Sequence, residues 1–337
     1  MCGGIQYRLG KPCRSCRPCA CGTSYTANTT IDFEGVAARF VRPTIHSGWG
    51  QMGQYGLSEV RFLHIPAYAR EPQPADGESE VGIDSALHWR AGRDAVLHEV
   101  YLGTDPDELS LIGSPAQPVF APEGLAFGTA YYWRVDETAD DLWAGDSWSF
   151  TTQDYALIDG FESYTDDIDA GQAIFDTWLD GWVNNTGSTV GYSEAPFAER
   201  TIVHGGRQSM PLRYDNSVSP FYSEAQRIFD SPQDWTVGGA DSLRLYVQGS
   251  AANAAQTLYV ALEDSAGRAA VVSHADAEAV RAVEWQLWPI PLSQFAGVDL
   301  SRVRTMYIGL GHRTAPTAGG LGLIYIDDIG FGVSPTQ

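Results

Sequence analysis

The stretch GLIYIDDIGFG (Gly322–Gly332) is an apolar strand with two aspartates set into it, and its reading decides the fold. Working back along the chain, VRTMYIGLG, EWQLWPIPL, TLYVALEDS and DSLRLYVQG are strand candidates of the same kind, with Gly, Pro, Asn and Asp between them. Many short strands at close spacing predict two packed antiparallel sheets in a jelly roll. At the other end of this piece, ALIDGFESYTDDIDAG (Ala156–Gly171) again starts apolar and then runs into carboxylates. These acids have three readings: a catalytic pair, a metal site joining two chain ends, or a solvated surface.

Composition narrows the choice. With 36 Gly, 18 Pro, 10 Trp and 16 Tyr in 337 residues, the chain suits strands and turns better than long helices. Its 42 Asp and Glu face 21 Lys and Arg, a formal charge of -21. Phosphate binding needs clustered cations, so nucleic acid is excluded as a partner. No apolar run reaches membrane-spanning length, so no membrane insertion is expected. All 5 cysteines lie within residues 1–29, in a basic, aperiodic segment that lacks the apolar centre of a signal peptide. Two tandem C-x2-C spacings there can hold zinc, but only a handful of residues separate them. That segment reads as a disordered leader.

Residues 30–68 contain ARFVRPTI and SEVRFLHI, which alternate as half-buried strands do. GLSEVRF resembles the last strands of a discoidin-like domain, which implies a remnant of one and a larger parent protein with neighbouring domains. AREPQPADGE (Ala69–Glu78) is an extended Pro-rich hinge. Residues 69–153 carry LHWRAG, HEVYLGTD, YYWRVDE and GDSWSFTT and resemble a fibronectin type III-like sandwich. There Trp89 is the expected core tryptophan and Tyr131 or Tyr132 the buried tyrosine. Residues 154–333 resemble carbohydrate-binding modules of the galactose-binding-like jelly-roll type. The carrying motifs are FESY, HGGRQSMPLRYDN, LYVALEDSAG, IPLSQF, YIGLG and YIDDIGF. The fold expected for the whole chain is all-β, with β-sandwich modules in tandem.

That resemblance implies a structural calcium ion (Ca2+) tying the first strand to the last. Glu162 and Asp327 or Asp328 match the carboxylate positions, with backbone oxygens around Gly206 and Gln208 completing the shell. The two aspartates should point to opposite faces of a strand, so one is the expected main side-chain ligand, and Asp328 is favoured because it shares a face with Ile326 and Gly330. Asp166, Asp167 and Asp169 read as a solvated turn. The resemblance also implies a polysaccharide or glycan ligand, held by aromatic faces with a few polar groups. Trp182, beside the turn NNTGS, is the best exposed aromatic candidate; Tyr222, Asn216, Arg227, His312 and Arg313 are the other candidates.

The expected role is therefore non-catalytic adhesion or targeting by a secreted or cell-surface protein. A jelly-roll glycoside hydrolase or polysaccharide lyase is the enzymatic alternative, and a structural surface or assembly module the third. FYSEAQRIF puts Tyr222, Glu224 and Gln226 on one side of a strand and Arg227 on the other. Glu194, Glu199, Glu224 and Glu263 are acids without a motif. No nucleophile elbow, zinc-protease helix or phosphate-binding loop occurs.

Overall fold

Period-2 alternation becomes sheet in a computed structural model that describes residues 40–44, 66–139 and 141–334. The leader falls outside the described residues, as does all of the 30–68 segment except 40–44 and 66–68. Met1–Pro66 and Ala67–Gln337 separate as two units. In the first unit, 40–44 carry no regular secondary structure.

The second unit starts with nine strands. They are β1 (Arg70–Gln73), β2 (Glu78–Val81), β3 (Leu87–Arg90), β4 (Leu97–Gly103), β5 (Ser110–Gly113), β6 (Val119–Phe120), β7 (Ala130–Thr138), β8 (Leu142–Trp143) and β9 (Ser147–Thr152). One sheet runs β1-β3-β6 and the other β2-β9-β7-β4-β5, with β8 on the edge of β7. In β7 and β9 alternate side chains turn inward: Tyr131, Trp133 and Val135 meet Trp148 and Phe150. Trp89 joins them, with its ring 6.3 Å from that of Trp133.

Eleven further strands follow. They are β10 (Tyr155–Asp159), β11 (Trp178–Leu179), β12 (Ser188–Val190), β13 (Met210–Asp215), β14 (Ser223–Gln233), β15 (Ser242–Gln248), β16 (Leu258–Asp264), β17 (Ala269–Ser273), β18 (Gln286–Pro291), β19 (Val303–Leu310) and β20 (Leu321–Gly332). A six-stranded sheet runs β12-β13-β20-β15-β18, with β10 also paired to β20; a five-stranded sheet runs β11-β14-β19-β16-β17. Leu212, Leu245, Ile324 and Ile326 of the first sheet face Ala225, Val260, Met306 and Ile308 of the second in one core. Burial of each such large side chain contributes about 1.5–3 kcal/mol. Described residues contain no helix long and apolar enough to cross a membrane.

The two sandwiches share apolar packing. Phe127, from the loop before β7, is buried in the second core, where its ring meets Phe331 edge-on at 6.0 Å. Its amide donates to Gly238 O at 2.8 Å. Gly238 has φ +62°, and a Cβ there would lie 2.8 Å from the Phe127 ring, so two constraints favour glycine at this position.

Candidate functional site

The outer face of the five-stranded sheet carries the densest polar constellation. With Ala225, Met306, Ile308, Leu258, Val260 and Leu262 in the core, alternation turns Glu224 and Gln226, Tyr307 and Gly309, and Tyr259, Ala261 and Glu263 outward. Glu224, Gly309 and Tyr259 lie in one cross-strand row. Gly309 lacks the Cβ that would strike the Tyr259 ring, so that ring lies across β19. Its hydroxyl then donates to Glu224 Oε2 at 2.8 Å. The next row is Gln226, Tyr307 and Ala261, and the Tyr307 hydroxyl donates to Glu263 Oε2 at 3.1 Å.

Arg313 covers these rows. Its guanidinium lies 4.0 Å from the Tyr307 ring centre, and its Nε is 3.3 Å from Glu224 Oε2. Burial pushes the Glu224 carboxyl above its usual range, against the opposing pull of Arg313 and the Tyr259 hydroxyl. Tyr259 and Tyr307 are likewise raised, burial being the largest cause for each.

At the edge of this sheet, β11 pairs with β14 and leads into the turn that holds Trp182. Asp180 Oδ1 accepts from Trp182 N at 3.0 Å and its Oδ2 from Val190 N at 3.0 Å. Asn184 Nδ2 donates to Glu224 O at 2.8 Å, tying the turn to β14. The Trp182 side chain projects from this rigid support and is 88% exposed. Tyr222, just before β14, is half-buried, and His312 is exposed in the loop that also delivers Arg313.

Thus Arg313 packs on this face, and Trp182, Tyr222 and His312 lie in segments that flank β14 and β19, while Asn216 and Arg227 are placed differently. Asn216 is fully buried: its Nδ2 donates to Leu310 O at 2.9 Å, and its Oδ1 accepts from Ser223 Oγ at 2.7 Å. Arg227 points away from Glu224 and pairs with Asp159 between the Trp178 and Phe229 rings. The Asn216 amide is thus spent inside the fold, and the Arg227 guanidinium is turned to the Asp159 carboxylate. Tyr259 and Tyr307, which were not among the sequence candidates, join the polar constellation on this face. Their signal was the shared face of Tyr259, Ala261 and Glu263, which gathers its partners only when β16 meets β19.

The clasp residues also converge, with a different donor set. Glu162 Oε1 accepts from Arg207 N at 2.7 Å and Gln208 N at 3.1 Å, and Arg207 Nε lies 3.2 Å from Oε2. Asp327 is buried; its Oδ2 accepts from His204 N at 2.9 Å and Gly205 N at 3.2 Å, and its Oδ1 from Asp328 N at 2.9 Å. Asp328 Oδ2 meets His204 Nδ1 at 2.6 Å. The expected opposition of the two aspartates is corrected. Asp328 has φ +46°, strand pairing slips beside it, and both carboxyls engage the same turn. Gly206, whose Cβ would strike the Glu162 carboxyl, permits the close approach. The Gln208 side chain is spent on Phe161 O at 2.6 Å and Tyr164 O at 2.9 Å.

Calcium takes about six to eight oxygen ligands. Here the Glu162 and Asp327 carboxylates accept N–H groups of the turn. Burial pushes Asp327 up to about 6, opposed by those N–H donors. A raised carboxyl contributes stability that is fully present below its unfolded value of about 4 and is lost as pH rises through the folded one. Asp166, by contrast, pairs with Arg200 at 2.8 Å in an exposed turn.

No family model matches the chain, and no curated protein matches it. Several solved structures are similar to parts of the chain. A family 30 carbohydrate-binding module is 14% identical over 42% of this chain and 74% of its own, with a TM-score of 0.32. A family 11 carbohydrate-binding module from Clostridium thermocellum, in complex with a beta-1,3-1,4-mixed-linked tetrasaccharide, is 14% identical over 54% of this chain and 98% of its own, with a TM-score of 0.32. An exo-beta-agarase is 12% identical over 45% of this chain and 23% of its own, with a TM-score of 0.33. The sheets themselves make it an all-β protein of sandwich architecture.

Proposed function

We propose that the second sandwich binds a neutral glycan without transforming it, on the outer face of the five-stranded sheet. The observation that carries this reading is Trp182, an exposed indole on a turn fixed by Asp180 and Asn184. An exposed tryptophan held rigidly is costly to leave in water and well suited to stack on a pyranose. On the same sheet face Glu263 and Arg313 provide hydroxyl-binding groups, with the buried Glu224 carboxylate holding Arg313. Two carboxylates against one guanidinium disfavour anionic polymers. In this reading the first sandwich is a fibronectin type III-like spacer, and the setting the cell surface or the medium.

Trp182→Ala is expected to weaken binding to the retained glycan about thirtyfold, as for a central aromatic anchor. Unfolding free energy should change by no more than about 0.5 kcal/mol, because the side chain packs against little. Affinity electrophoresis through a panel of neutral polysaccharides and a urea titration read the two effects. Undiminished retention would sink the proposal. Release of reducing ends, lost in Glu224→Gln, would turn the reading to hydrolysis.

Calcium is tested on the clasp. Melting temperatures in calcium and in chelator are expected to agree, since amides already engage the carboxylates. A rise in calcium, abolished in both Glu162→Ala and Asp328→Ala, would establish the ion.

A further inference from the structure

The outer face of the six-stranded sheet holds a second group of aromatic side chains that the site above does not use. Tyr246 projects from β15 opposite its core neighbours Leu245 and Val247. His204 lies flat on it, ring centres 3.5 Å apart and planes 17° from parallel. Trp285, just before β18, stands 5.9 Å from the imidazole at 72°. The two rings form a corner with one wall on each side. Asp328 engages Nδ1 of His204, which fixes the imidazole and leaves Nε2 for another partner.

Two residues along the same strand face, about 7 Å away by strand geometry, lies Arg244. Its guanidinium sits 3.5 Å from the Tyr155 ring centre. No carboxylate lies within ion-pairing distance of it among the described residues, and its buried Nε has no acceptor. The face therefore combines flat apolar walls with nitrogen donors seeking oxygen.

We propose that the His204–Trp285 corner and Arg244 form a second saccharide-binding site, for a neutral pyranose, on the sheet opposite the first. The ring stacks on Trp285, with hydroxyl oxygens taken by His204 Nε2 and the Arg244 guanidinium. Asp328 and Asp327, which both engage His204, disfavour uronates, so the ligand is neutral although a cation is present. Two sites on opposite sheets allow one chain to bridge two polymer strands and gain avidity.

Isothermal titration with cellohexaose, laminarihexaose and neoagarohexaose tests this, with a galacturonate hexamer as the charged comparison. The expected stoichiometry is two per chain for a bound neutral hexamer, one in Trp285→Ala, one in Trp182→Ala and none in the double variant. Arg244→Gln, which leaves the walls intact, should weaken the second site about tenfold. One site per chain, unaffected by Trp285→Ala and Arg244→Gln, overturns the second site and leaves the first standing. One site lost only in Trp285→Ala overturns the first and leaves the second. Preference for the galacturonate hexamer at this corner, or no binding of any hexamer, overturns the proposal.

Discussion

Asp159→Ala is expected to lower the unfolding free energy by about 3–5 kcal/mol, the usual cost of stranding one partner of a buried ion pair. Asp159, at the end of β10, is buried and its carboxylate gathers groups from separate elements. Oδ1 accepts from Phe161 N at 2.8 Å. Oδ2 accepts from Trp178 Nε1 at 2.8 Å and the Tyr164 hydroxyl at 2.6 Å, and pairs with Arg227. Alanine would leave a guanidinium confined between Trp178 and Phe229, and a fully buried indole N–H with no acceptor. The Arg227 side chain is 19% exposed, so water screens part of its charge and places the loss toward the lower end of that range. A double-mutant cycle isolates the pair. In an Arg227→Met background the same substitution should cost markedly less. Equal costs in both backgrounds would show that Arg227 is not the partner that matters.

Phe127→Ala is expected to cost about 3–5 kcal/mol, as for other buried phenylalanines. Its more telling effect is on cooperativity. Phe127 belongs to the first sandwich by chain position and to the second core by packing, beside Phe331 and Gly238. Close to it, Gly128 N donates to Gln153 O at 3.0 Å and Val333 N to Asp154 O at 3.0 Å, closing the joint. Calorimetry of the wild-type chain should show these sandwiches melting together, and the variant should separate them into two transitions. An unchanged single transition with a loss below about 1 kcal/mol would mean that the backbone bonds alone couple them.

The sandwich class was readable before any coordinates. DSLRLYVQG, TLYVALEDS, EWQLWPIPL, VRTMYIGLG and GLIYIDDIGFG all became strands, because alternation is a local consequence of side chains leaving a strand on opposite faces. Exposure of Trp182 was readable for a similar reason, since an indole beside NNTGS has little nearby chain to cover it. Partnership was not. Arg227 looked like a ligand contact because nothing near it in sequence reveals Asp159, 68 residues earlier. Asn216 looked free until strand register brought Leu310 to it. A single left-handed residue, Asp328, overturned the alternation that had separated the two aspartates.

Local periodicity therefore determined that the chain is built of strands, and which strand positions face a core. Tertiary register decided which acids are spent inside the fold, where Tyr259 crosses Gly309 to reach Glu224, and that Phe127 belongs to the neighbouring core. The physical reason is that side-chain direction along a strand repeats every two residues, whereas the partner a side chain meets depends on how distant strands align.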